Sequence, residues 1–133
     1  KAIFERKLDR MSEKQANLSV AKPGYSEHQT GLAMAIEGET TKGTGLTEAF
    51  GESPEGIWAA KHCAEYGFII RYPKDKTKIR GYIYEPWHLR YVGREAAQEI
   101  TALDVTFEEY IAMVRSDRIQ WLQEETQYDD QNP

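Results

Sequence analysis

Cysteine is nearly missing from this 133-residue chain: Cys63 stands alone, so no internal disulfide can form and the fold must hold by packing. Its neighbours Ala59, Ala60 and Ala64 point to a small buried side chain rather than a reactive thiol, because lone helical cysteines commonly pack as hydrophobes. Long apolar runs are absent as well, and nothing approaches the roughly 20 residues that cross a bilayer. Basic residues form no cluster, and the formal net charge is −5; nucleic acid is therefore not an expected partner, since phosphate binding relies on grouped Lys and Arg. Histidine is scarce, limited to His28, His62 and His88. There is no initial Met. With Lys1 first, we expect a processed or excised piece, with any targeting signal or membrane anchor upstream of it.

What is present is an ordinary globular balance, with 40% hydrophobic and 29% charged residues. This length suits one domain able to bury about two thirds of its unfolded surface. We expect that domain over residues 1–123, as a monomer, with residues 124–133 as an acidic, disordered tail. Phe4, Leu8 and Met11 fall on one helical face and predict an amphipathic helix from Ala2 to about Gln15. Pro23-Gly24 then breaks the helical pattern, and Gly43 with Gly45 marks a loop. Ser53-Pro54 reads as an N-cap and first helical position, and Gly67 as the residue that closes that helix. Phe68–Tyr72 and Gly81–Glu85 are rich in β-branched and aromatic residues and predict an antiparallel hairpin. Arg94 to about Leu103 is again helical. Thr106 and Glu109 make a capping box, with Val105 and Tyr110 as its hydrophobic staple, for a last helix that starts near Phe107 and frays after Leu122.

The chemistry concentrates in two segments. One is Ser26-Glu27-His28-Gln29-Thr30-Gly31-Leu32-Ala33-Met34-Ala35; the other is Glu85-Pro86-Trp87-His88-Leu89-Arg90-Tyr91. Catalytic zinc takes three protein ligands and keeps one position open for water, and His28 and His88 could supply two imidazoles. His62 sits mid-helix beside Lys61 and reads as a surface or packing histidine. Glu85 lies three residues before His88, and in a straight strand such positions face opposite sides, so Pro86 must bend the chain if both are to face one site. Tyr82, Tyr84, Trp87 and Tyr91 either fill a core or line a peptide groove.

Both segments resemble the two signature motifs of the VanY-type D-alanyl-D-alanine carboxypeptidases, zinc peptidases that trim bacterial cell-wall stem peptides. In that family the first motif runs Ser-x-His-x-x-Gly-x-Ala-x-Asp, and its aspartate is a zinc ligand; this chain has Ala35 there. The resemblance implies an α+β fold of the hedgehog and D-Ala-D-Ala peptidase type, a small antiparallel sheet carrying the zinc site and flanked by helices. It implies zinc held by His28 and His88, Glu85 as general base, and Ser26 and Tyr72 as substrate contacts. It also implies a stem-peptide substrate and an extracytoplasmic bacterial location, with activity weakened or lost through Ala35. A Ser-Gly-Tyr-Arg segment, whose arginine holds the substrate carboxylate in the family, would lie upstream of Lys1. A non-catalytic peptide- or protein-binding module on the same fold, an L,D-carboxypeptidase and a dipeptidase are the competing expectations.

Overall fold

The computed structural model describes residues 2–131, and side chains for residues 4–79 and 81–121. Two short helices open the fold, α1 (Ala2–Leu8) and α2 (Glu13–Asn17), where the sequence predicts one. The interruption has a local cause. Ser12 is an N-cap whose side chain accepts from the Gln15 backbone, while the Gln15 side chain takes the Ser12 N–H, a complete capping box that restarts the helix. Consequently only Phe4 of the expected apolar stripe is buried, and Leu8 and Met11 stay exposed.

The sheet consists of β1 (Ala33–Ala35), β2 (Phe68–Tyr72) and β3 (Glu85–Tyr91). Its order is β1-β3-β2, and both pairings are antiparallel. Between the first two strands lie the Gly43 and Gly45 turns and α3 (Pro54–His62). That helix begins as the sequence predicts, with the Ser53 hydroxyl accepting from the Gly56 N–H and Pro54 in its first turn. Gly56 is required by its surroundings, because a Cβ there would meet the Phe50 carbonyl oxygen at 1.8 Å. After a tighter turn over Cys63–Tyr66, Gly67 adopts φ 83° and turns the chain into β2.

The hairpin is real, but its second strand is displaced from the predicted Gly81–Glu85. The short helix α4 (Thr77–Arg80) occupies the connection, Gly81–Tyr84 remain outside the sheet, and pairing starts only at Glu85. Proline in a central strand argues against such a placement, and the register explains why it is tolerated. Ile70 pairs with Leu89 and Tyr72 with Glu85, so Pro86, Trp87 and His88 stand against Arg71 alone. This bulge needs no ladder N–H from Pro86.

Helix α5 (Arg94–Leu103) packs on β2, where Ala64, Ile69, Ala97 and Ile100 form the core, joined by Val92, Phe107 and Tyr110. The Thr106 capping box is present. The Glu109 carboxylate accepts from the Thr106 N–H at 2.7 Å, and the Glu109 N–H donates to the Thr106 hydroxyl at 3.2 Å. It opens α6 (Phe107–Gln131). The expected fraying after Leu122 meets a backbone that is helical to Gln131, through a stretch without Gly or Pro and rich in Gln and Glu. The side chains of the expected acidic tail, and residues 132–133, lie outside the described residues. Behind the sheet Phe50, Trp58, Phe68 and Leu89 line an apolar groove of about 790 Å³.

Candidate active site

Ser26, His28, Ala35, Tyr72, Glu85 and His88 all line one cleft of about 480 Å³, on the side of the sheet away from the apolar groove. Each arrives there for a local reason. Ser26 precedes a tight helical turn over Glu27–Thr30, and Gly31 closes that turn at φ 72°, a conformation glycine adopts without strain. The turn carries His28 to the cleft mouth, where its Nδ1–H donates to the Ala33 carbonyl at 3.2 Å. Ala35 pairs with His88 across β1 and β3, and directly opposed residues of an antiparallel pair share a face.

The bulge brings Glu85 and His88 to one side. Both are 6% exposed, and the Glu85 carboxylate lies 3.1 Å from His88 Nδ1. The His28 and His88 rings are 4.6 Å apart between centroids, and Tyr72 meets His88 edge-on at 4.9 Å while stacking on Tyr82. Burial pushes the Tyr72 hydroxyl well above the usual tyrosine range, so it stays protonated as a hydrogen-bonding group.

Of the four aromatics considered, Tyr82 and Trp87 line the cleft, whereas Tyr91 lies exposed beside Phe68 and the half-buried Tyr84 sets its hydroxyl against Gly51. His62 lies elsewhere, stacked on Trp58 and hydrogen-bonded to Glu65 at 2.7 Å. Cys63 is buried, and burial raises its thiol pKa, as expected of a packed rather than a reactive cysteine.

Sequence reasoning passed over Glu27. Its Oε1 lies 2.9 Å from His88 Nε2, and its Oε2 accepts from Arg71 Nε and Arg90 Nη1, each at 3.0 Å. Burial alone would push the Glu27 carboxyl up. The His88 hydrogen bond and the Arg71 charge and hydrogen bond outweigh it and hold the group at about 2. For His88 the burial effect is downward, and the carboxylates of Glu27 and Glu85 reverse it and raise the imidazole. Arg71 also pairs with Glu108 in the first turn of α6. The neighbouring letters Ser26 and His28 could have drawn notice to Glu27, but its partners are distant in sequence and no spacing rule marks them.

Paired imidazoles beside a buried carboxylate in a peptide-sized cleft are peptidase chemistry. The family described as VanY, D-alanyl-D-alanine carboxypeptidase, matches residues 1–94, and the chain belongs to that family. It is 50% identical over 115 residues to YodJ of Bacillus subtilis (strain 168), a protein with a carboxypeptidase name, in a match covering 86% of this chain and 42% of that one. Among solved structures, the LdcB LD-carboxypeptidase superposes with a TM-score of 0.74 at 50% identity, over 84% of this chain and 51% of that chain. A D,D-pentapeptidase VanY from a VanB-type vancomycin-resistance cassette, in complex with Zn(II), superposes with a TM-score of 0.64 at 40% identity, over 82% and 60%. The chain spans less than half the length of the curated relatives it matches.

This chain's own donors do not complete a site of the kind zinc peptidases use. His28 and His88 offer two nitrogens, but the Ala35 methyl opposite His88 has no lone pair. Among the described residues no group of three His, Cys, Asp or Glu side chains could hold a metal ion.

Proposed function

We propose that this chain is a carboxypeptidase domain for peptidoglycan stem peptides, built to release their C-terminal D-alanine outside the cytoplasm, and that Ala35 weakens or silences it. The observation that carries the reading is the convergence of Ser26, His28, Tyr72, Glu85 and His88 on one cleft. Glu85 is assigned the general base: buried and hydrogen-bonded, it takes a proton from the attacking water and returns it to the departing amine. Ser26 and Tyr72 are assigned to the C-terminal end of the peptide. With an aspartate at position 35 as third ligand, His28 and His88 would hold zinc, which would supply Lewis-acid chemistry at the scissile carbonyl.

Incubating an Ala35→Asp protein with defined stem peptides tests the reading. Loss of the terminal D-alanine from a pentapeptide is the expected result. Cleavage of a tetrapeptide alone would make it an L,D-carboxypeptidase, and release only from a free dipeptide would make it a dipeptidase. In the same background His28→Ala and His88→Ala should each abolish bound zinc while His62→Ala leaves it unchanged, by metal analysis after desalting. Equal loss in all three would mean that the ligands are misassigned.

Ala35 itself favours a second reading, in which the cleft binds a peptide or protein partner without cutting it. An Ala35→Asp protein that binds stem peptides and releases nothing would establish that alternative.

A further inference from the structure

The cleft holds a cation that the proposed chemistry does not use. Lys7, near the end of α1, forms part of its lining, and lysine seldom leaves water without a countercharge. Lys7 is half-buried, yet among the described residues no carboxylate pairs with it. Its Nζ donates instead to the Ser19 hydroxyl at 2.7 Å, and that hydroxyl donates onward to the Ala16 carbonyl at 3.4 Å. A neutral acceptor satisfies one N–H of an ammonium that carries three, and it leaves the charge unmatched. Arg71, by contrast, already serves two carboxylates, Glu27 and Glu108. The Lys7–Ser19 pair also stands beside the wall assigned to the end of the peptide. The Ile83 N–H donates to the Leu18 carbonyl at 2.8 Å, which ties the segment carrying Ser19 to the loop carrying Tyr82, and Tyr82 stacks on Tyr72 at 4.6 Å.

We infer that Lys7 is a specificity-determining residue, whose ammonium takes a carboxylate of the peptide bound in the cleft while Ser19 holds the lysine stem in place. The inference rests on reading the cleft as a peptide site. Ser19 supplies what a lone surface lysine lacks, because a long side chain tethered before binding loses less rotamer freedom when the ligand arrives. A stem peptide offers carboxylates from two sources, its C-terminus and any acidic residue along it. Either one would supply the countercharge that the protein itself does not.

Calorimetric titration with a synthetic pentapeptide that ends in D-Ala-D-Ala and carries an acidic residue tests this, run beside its C-terminal amide and the analogue in which the acidic side chain is amidated. The wild-type chain should bind the parent peptide about ten- to a hundredfold tighter than one of the two amides, the usual worth of a hydrogen bond to a charged group. The weakened amide names the carboxylate that Lys7 takes. In Lys7→Met that preference should disappear, and Lys7→Arg, which keeps the charge, should retain most of it. Because the preference is a ratio of affinities within one protein, partial unfolding of a variant cancels out. A role confined to pinning Ser19 would leave the ratio unchanged. An undiminished preference in Lys7→Met therefore overturns the inference and leaves the peptide reading standing. Equal binding of all three peptides by the wild-type chain also overturns it, and binding of none of them removes the peptide reading and this inference together.

Discussion

Replacing Ala35 with aspartate should raise the affinity of the cleft for zinc by at least about tenfold. Ala35 is paired with His88 across the β1–β3 ladder and lines the same cleft, and opposed side chains in such a pair have Cβ atoms about 4.5–5.5 Å apart. A carboxylate there would add a third ligand and a negative charge against the cation. Losing even an outer-shell partner at such sites costs about 10–100-fold in affinity, so restoring a direct ligand should gain no less. Titration of both proteins against a competing chelator at neutral pH reads the difference. If the affinities coincide, residue 35 is not at the metal, and the correspondence with the family's first motif fails at that position.

In the Ala35→Asp background, Glu85→Ala should keep its zinc and lose about 10²–10⁴ in turnover, the usual worth of general acid-base catalysis. Glu85 is buried beside His88 and is not itself assigned as a ligand, which is why metal content and rate should separate. The loss should appear in kcat more than in KM, since proton transfer belongs to the transition state. Activity close to that of the parent would remove Glu85 from the mechanism.

The parts of the fold legible in the sequence are those written in short-range chemistry. Ser53-Pro54, Gly67, the Arg94–Leu103 helix and the Thr106/Glu109 box all name their own structure within four or five residues. The Ser12/Gln15 box carried the same kind of signal but was masked by the apolar spacing of Phe4, Leu8 and Met11, which continues smoothly across the break. The second strand of the hairpin was misplaced because Tyr82-Ile83-Tyr84 looks more strand-like than a segment containing Pro86. Only pairing with β2 reveals that the proline sits in a bulge. At the site, the two motifs led to the residues that share the cleft. Glu27 stayed hidden because its contacts join positions more than 40 residues apart, and such closures leave no local trace.

The β3 strand is seven residues long and serves two masters. His88 looks into the cleft while its neighbour Leu89 lines the groove on the opposite side. Shifting the pairing by a single residue would bury an imidazole in the oily side and put a leucine where the chemistry belongs. The segment from Glu85 to Tyr91 therefore tolerates hardly any change of length. An insertion or deletion there would expose apolar surface and dismantle the cleft in one stroke.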